Sequence, residues 1–249
     1  MPNFALCTSA DLPLLHDFSI LVRTFRKVHP DVPILCVGQS NFKAECDRVG
    51  VIHVAYDKEW DFYRGVVHLK ALAITEALKV APSALFCDCD VFFLSQYESR
   101  PGTWISPHYM KAGACANWGT YNCGYVATDD PSLAPWWVKH VLEHPKEFGE
   151  QQALEHFSEA FTVNEFDAGH NVGWWRLVHG DDPAAFAAGL KVVDGALHCG
   201  SRRVVSVHTH LFRYGNAKSV QSLDGIVSSF NNLLRRRLGA EQFVKLIEG

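Results

Sequence analysis

Short apolar runs alternate with longer segments of helical period through the N-terminal part of the chain. The run Phe4–Cys7 is followed by a segment in which Leu14, Leu15, Phe18, Leu21, Val22 and Phe25 recur at the spacing of one helical face. The runs Ile34–Val37 and Val51–Ala55 come next, then a second amphipathic segment marked by Leu69, Leu72, Ala73, Ala77 and Val80, which ends near Pro82. Ala84–Cys87 is short, almost wholly apolar and bounded by Pro-Ser on one side and aspartate on the other. Those features predict a strand buried on both faces and central in its sheet. The β-α-β-α-β order predicts an α/β fold with a mostly parallel central sheet covered by helices on both faces. Ligands of such sheets bind beyond the carboxyl ends of the strands, here the loops after Cys7, Val37 and Cys87.

The second half is less regular. Trp104–Ser106, Gly124–Thr128 and Val204–Val207 are strand-like, and Leu133–Glu143 and Gln151–Phe161 are helical in pattern. From Leu223 to Ile247, apolar residues at helical spacing carry the run Arg235-Arg236-Arg237. Residues 223–249 therefore read as a C-terminal helical extension packed on a domain spanning 1–222. The arginines read as a solvated face, with contact to a phosphate, an acidic partner or a membrane surface as the alternative. No internal repeat or low-complexity linker divides the chain, and 249 residues lie within the reach of one hydrophobic core.

Composition narrows the function classes. At 48% hydrophobic and 20% charged residues the chain is neither disordered nor a coiled coil. With 23 Lys and Arg against 27 Asp and Glu it has no global basic field, so nucleic acid is not an expected partner. No apolar stretch approaches the ~20 residues that span a bilayer, and Met-Pro-Asn-Phe-Ala lacks the form of a secretory leader, which predicts a cytoplasmic protein. The eight cysteines are dispersed and read as reduced core thiols. The single close pair, Cys87 and Cys89, lacks the spacing of a structural zinc site.

The strongest chemical signal is Asp88-Cys89-Asp90, two carboxylates one residue apart inside a long hydrophobic run. Burying them unpaired would be costly. At the exit of a central strand they instead project into a cleft, where oxygen ligands hold a hard divalent ion against a diphosphate. Cys87 and Cys89 alternate with them and pack inward. The plainer alternative has the aspartates capping a following helix or turn.

This framed Asp-x-Asp resembles the metal-binding motif of GT-A fold glycosyltransferases, and the segments around it resemble glycosyltransferase family 8, the glycogenin-like and lipopolysaccharide galactosyltransferase-like enzymes. As in that family, Lys70 begins a helix that leads into the Asp-x-Asp strand. Tyr121-Asn122-Cys123-Gly124-Tyr125-Val126 resembles its Phe-Asn-Ser/Ala-Gly-apolar segment, and Glu150-Gln151-Gln152-Ala153-Leu154 its Asp-Gln-x-x-Leu-Asn segment. Asn171 takes the place of a later family asparagine, and Val204–His210 that of a strand ending in a histidine ligand. Gly215 and Lys218 loosely echo the family's Gly-x-x-Lys-Pro-Trp. The matches run in order from the first strand to Lys218. Glu150 in place of aspartate, Glu155 in place of asparagine, the missing Pro-Trp and the longer spacing from either histidine to Lys218 mark a divergent relative.

The resemblance implies a metal-dependent transfer of a sugar from a nucleotide-diphosphate donor, expected to be UDP-linked, to an acceptor hydroxyl of a glycan or glycoconjugate, with retention as the expected outcome. Asp88 and Asp90 would hold Mn2+ or Mg2+, with His208 or His210 as a further ligand. These two histidines are two apart in a strand and so face the same way, and an imidazole donor favours Mn2+. Thr8 and Ser9 occupy the place where the fold holds a nucleotide, although Ser9 or Asp11 as a helix cap explains them equally well. Lys70, with Arg64 as a second choice, is the candidate for the diphosphate or donor sugar. Cys89, Asn122, Gly124, Asn171 and Lys218 complete the nucleotide-sugar candidates, and Glu150 and Gln151 are the catalytic ones. Glycine at 124 permits close approach of a ligand, as it would permit a bulge. For an inverting enzyme Glu150, Asp129, Asp130 or Asp167 would serve as base. Among the clustered aromatic residues Trp118, Tyr121, Tyr125, Trp136, Trp137, Trp174 and Trp175, most are core and one or two are candidates to stack on a sugar. Two other classes share parts of this pattern: a nucleotide-sugar binding protein without turnover, and a haloacid-dehalogenase-like phosphatase, whose Asp-x-Asp usually lies near the N-terminus.

Overall fold

The apolar runs of the N-terminal half are strands and the segments of helical period are helices in the computed structural model, which describes residues 2–57, 65–144, 149–209 and 221–248. β1 (Ala5–Ser9), α1 (Leu15–Val28), β2 (Ile34–Gly38), a short α2 (Lys43–Arg48), β3 (Ile52–Ala55), α3 (Gly65–Val80) and β4 (Ala84–Cys87) follow one another. Next come β5 (Val91–Phe93), β6 (Thr103–Pro107), α4 (Ala112–Trp118), β7 (Tyr121–Thr128), α5 (Leu133–Glu143), α6 (Gly149–Gln152), α7 (Phe157–Ala160) and β8 (Val163–Glu165). The chain continues through β9 (Val172–Gly173), α8 (Pro183–Gly189), β10 (Leu190–Val193), β11 (Ala196–Cys199), β12 (Arg202–Arg203) and β13 (Ser206–His208), then closes with α9 (Gln221–Leu238) and α10 (Ala240–Glu248).

The described residues form a seven-stranded sheet in the order β3-β2-β1-β4-β7-β6-β8, with β4 in the middle. β7 alone runs against the others, antiparallel to both β4 and β6. Side chains of β4 alternate between two apolar layers. Ala84 and Phe86 enter the layer under α3 and α5 with Leu69, Ile74 and Trp137, whereas Leu85 and Cys87 enter the layer under α1 with Phe18, Leu21 and Phe25. Each buried Phe or Leu contributes about 1.5–3 kcal/mol, so a strand that is apolar at every position is anchored on both faces. The carboxyl end of β4 is thus a fixed platform.

The described residues also form two smaller sheets. β5 pairs antiparallel with β13, which runs parallel to β9, and β10, β11 and β12 form an antiparallel sheet. The register sets His208 opposite Val91, one residue beyond Asp90. Phe230, Leu233, Leu234, Leu238 and Phe243 of the terminal helices cover Phe92 and Val207 of this small sheet. Arg235, Arg236 and Arg237 are exposed, and Arg237 donates to the Ala187 carbonyl. No helix among the described residues is long and apolar enough to cross a membrane.

Several boundaries differ from the pattern. The helical stretch from Gln151 is broken into α6, a 3-10 turn at Ala153–His156, and α7. The C-terminal segment is one of the arrangements its pattern allows, a helix pair, parted at Gly239, whose φ of +86° glycine adopts without strain. α3 starts at Gly65, so Lys70 lies inside the helix and not at its start. The strand near Val204 begins at Ser206 because the backbone N–H groups of Leu94 and Ser95 both turn to the Val205 carbonyl, ending the regular ladder there.

Candidate functional site

Asp88 follows β4 directly and its backbone N–H donates to the Gly124 carbonyl, which continues the pairing with β7 for one more residue. Two residues on, the Asp90 carbonyl accepts from the Thr209 N–H, which joins this turn to the end of β13. The result brings Asp88, Asp90 and His208 together, with one potential ligand atom from each lying within 4.8 Å of the others. His208 Nε2 is 3.0 Å from Asp90 Oδ1, and both side chains are buried. Burial alone would lower the imidazole pKa, but the Asp90 carboxylate outweighs it and holds the value above the usual range.

The donor set suits a divalent ion. Two carboxylates and one imidazole are the mixed oxygen and nitrogen ligands that Mn2+ accepts readily and Mg2+ less so.

Lys70 lies beneath this cluster, from the second turn of α3. Its ammonium is 3.0 Å from Asp88 Oδ1 and 3.8 Å from Glu150 Oε1, and it also reaches the Cys123 carbonyl at 3.3 Å and Cys123 Sγ at 3.2 Å. Burial opposes its charge, yet Asp88 first and then Cys123 and Glu150 override that and keep the lysine protonated above its ordinary pKa. Cys123 is a buried thiol whose pKa is pushed up by burial. Glu150, at the start of α6, is fixed through its backbone carbonyl, which accepts from Trp137 Nε1 at 2.9 Å. Lys70 therefore couples the proposed metal cluster to the acid of the Glu-Gln pair.

Gly124 has a steric role in the same place. A Cβ there would stand 2.3 Å from Asp88 Oδ2 and 2.8 Å from His208 Cε1. Glycine leaves room for the Asp88 and His208 side chains themselves, a reason distinct from the approach of substrate.

Asn122 and Asn171 form the wall behind His208. Asn171 Nδ2 donates to Asn122 Oδ1 and to Ser106 Oγ, both at 3.0 Å, and its Oδ1 faces His208 Nδ1 at 3.0 Å. Asn171 adopts a left-handed backbone with φ of +49°, which asparagine tolerates better than most residues. Gln151 donates through its amide N–H to the Trp118 carbonyl, and its Oε1 lies 3.8 Å from Cys123 Sγ. Trp118 itself is 45% exposed, whereas Tyr125, Trp137 and Trp175 are core. Cys89 packs into the apolar layer beneath α1. At the end of β1, the Thr8 hydroxyl is buried without a hydrogen-bond partner among the described residues, and Ser9 is half-buried beside it.

The alternative acids separate clearly. Thr128 pairs with Ala84, so Asp129 and Asp130 lie past the opposite end of β4 from Asp88, where they bond Gly102 and Ser132. Asp167 is paired with His170 at 3.0 Å. Of the four carboxylates only Glu150 adjoins the Asp88 cluster. Arg64, His210 and Lys218 lie outside the described residues. His108, buried behind Asn122, carries no motif in the sequence, and neither does Arg176, whose guanidinium holds the carbonyls of Ala168, His170 and Asn171.

No family model matches the sequence, and no curated protein matches it. Solved structures do. The galactosyltransferase LgtC, in complex with donor and acceptor sugar analogs, superposes with a TM-score of 0.60 at 12% identity, covering 98% of this chain and 95% of its own. Mouse xyloside xylosyltransferase 1 in its apo form gives 0.55 at 11% identity, over 86% of this chain and 100% of its own. The glycosyltransferase GlyE of Streptococcus pneumoniae TIGR4 gives 0.57 at 11% identity, over 93% of this chain and 64% of its own. The chain has the GT-A fold.

Proposed function

We propose that this protein is a divalent-metal-dependent glycosyltransferase that moves a sugar from a nucleotide-diphosphate donor, UDP-linked, to an acceptor hydroxyl of a glycan or glycoconjugate, with retention at the anomeric carbon. The observation that carries the reading is the convergence of Asp88, Asp90 and His208 at the carboxyl end of the central strand. The GT-A fold supports it, because LgtC, solved with donor and acceptor sugar analogs, has the same fold.

Asp88, Asp90 and His208 hold the ion, Mn2+ before Mg2+. When bound, it supplies Lewis-acid stabilisation of the charge on the departing diphosphate. Lys70 fixes Asp88 and offsets one negative charge of a site that also contains Asp90 and Glu150, which eases the approach of an anionic donor. The Thr8 hydroxyl, without a partner among the described residues and one strand over from β4, is the contact for the nucleoside. Glu150 receives donor-sugar hydroxyls, and Gln151 fixes the turn that carries the exposed Trp118.

The test is calorimetric titration with UDP and with GDP, each with and without Mn2+, on the wild-type chain and on Asp90→Ala. Metal-dependent UDP binding that disappears in the variant supports the reading. Absence of nucleotide binding under every condition overturns it. Hydrolysis of a UDP-sugar separates an enzyme from a binding protein, NMR of the released sugar reports retention or inversion, and turnover of simple phosphomonoesters would point to the phosphatase.

A further inference from the structure

We propose that His108 is a positioning residue for His208, acting through Asn122 and Asn171 to keep Nδ1 of His208 as a donor and to leave Nε2 as the ligating atom. The proposal rests on the reading of Asp88, Asp90 and His208 as a divalent-metal site. It follows from a chain of hydrogen bonds whose direction is fixed by two backbone groups.

The first is the Gly119 carbonyl, which only accepts. His108 Nδ1 lies 3.0 Å from it and therefore carries the proton. Burial pulls the His108 pKa down to about 4, so the ring is neutral near pH 7 and Nε2 is a bare acceptor. That nitrogen faces Asn122 Nδ2 at 3.2 Å. The second is the Gly124 N–H, which only donates. It lies 3.0 Å from Asn122 Oδ1 and fixes the same amide from its other side. With Asn122 Oδ1 an acceptor, Asn171 must present Nδ2 to it, as it does at 3.0 Å, and Ser106 Oγ takes the same Nδ2 at 3.0 Å. Asn171 Oδ1 is then the atom facing His208 Nδ1, which must donate. Nε2 of His208 is left beside Asp90 Oδ1.

All four side chains are buried, so bulk water does not compete for these bonds. Outer partners of this kind fix the tautomer and ring orientation of metal-binding histidines, and their removal costs about 10–100-fold in metal affinity. The polarity matters because a flipped Asn122 amide would set its NH2 against both the Gly124 N–H and the Asn171 NH2. His108 is what makes that flip unfavourable from the far side.

The experiment uses the full chain and Mn2+ alone. Affinity is followed by electron paramagnetic resonance of free Mn2+, and pulsed measurements on the bound ion report 14N coupling from an imidazole ligand. Wild type should show that coupling. His108→Leu should bind Mn2+ about tenfold more weakly with the coupling diminished. His108→Gln should recover both, because its amide can donate to Gly119 and accept from Asn122. Wild-type affinity and coupling in His108→Leu would overturn the proposal. Equal loss in the leucine and glutamine variants would also overturn it, since the ring would then act by packing against Trp175. Should His108→Leu not fold, 15N-histidine NMR of the wild-type chain loaded with Mg2+ decides: protonated Nδ1 with bare Nε2 at His108 is expected, and the opposite tautomer overturns the assignment. Wild-type protein without Mn2+ binding or 14N coupling would instead overturn the metal reading on which the proposal stands.

Discussion

The Lys70 ammonium sits 3.0 Å from Asp88 Oδ1 with its own side chain only 3% exposed. A lysine that contacts the phosphates of a ligand is normally reachable from solvent, whereas this one is enclosed by Asp88, Cys123, Glu150 and the Phe86 ring. The pair therefore makes Lys70 a support for Asp88, the proposed metal ligand. Removing one partner of a buried ion pair costs about 3–5 kcal/mol, and the half-buried Asp88 puts this case towards the lower figure. Lys70→Met should accordingly lose about 3 kcal/mol in urea unfolding and also lose metal-dependent UDP binding. A variant of wild-type stability that failed only in donor binding would return Lys70 to a direct phosphate contact.

Gly124→Ala tests the crowding between β7 and the cluster. Its Cβ would stand 2.3 Å from Asp88 Oδ2 and 2.8 Å from His208 Cε1, so one or both side chains must move. Overpacking of this kind typically costs about 1–3 kcal/mol. Mn2+ affinity should fall at least about tenfold, as for loss of an orienting partner. Isothermal titration with Mn2+ and a urea melt measure the two effects. Unchanged Mn2+ affinity would mean that Asp88 and His208 do not act together.

Glu150→Gln is expected to reduce sugar transfer by about two orders of magnitude, the scale of losing one charged group at a reaction centre. Asp129→Asn and Asp167→Asn should leave the rate within about twofold, because both carboxylates are engaged away from the cluster, with Gly102 and with His170. Initial rates of UDP-sugar hydrolysis on the three variants suffice. A large loss in Asp129→Asn with none in Glu150→Gln would move the reaction centre to the other end of the sheet.

Why part of this site is legible in the sequence and part is not follows from the range of the interactions. Asp88 and Asp90 stand out because charge inside an apolar run is costly unless it has a purpose, and Ala84–Cys87 is readable as a central strand from its own composition. His208 is legible only as one of two equivalent histidines, since alternation along a strand gives both the same face. The pairing of β5 with β13 brings His208 opposite Val91, and no local pattern encodes that register. His108 is harder still. A lone histidine after an apolar strand carries no signal, and its meaning arises from a backbone carbonyl eleven residues away and an asparagine on a neighbouring strand. The break of the Gln151–Phe161 stretch into three pieces is likewise tertiary, as Glu155 turns its carboxylate to the Thr120 and Tyr121 N–H groups.

The neutral burial of His108 also sets a pH dependence. Its pKa falls from an ordinary 6.5 to about 4 on folding, chiefly through desolvation. Above about 6.5 the ring is neutral in both folded and unfolded chains, and its contribution to stability is fully present. As the pH drops below that value the unfolded chain takes up a proton that the folded chain refuses, so stability declines until the folded pKa near 4 is passed. Linkage over that interval amounts to about 2 kcal/mol at pH 5 relative to pH 7. Asp167 acts in a separate window: the His170 hydrogen bond and the Gly169 N–H, working against partial desolvation, lower its pKa from 3.8 to about 2, so its contribution is present above 3.8 and is lost only towards pH 2. The two are therefore distinguishable in one titration. Urea unfolding at pH 7 and pH 5 should show wild type losing about 2 kcal/mol more than His108→Gln, which has no titrating ring. A variant as acid-sensitive as wild type would mean that the His108 ring takes up its proton in the folded chain as readily as in the unfolded one.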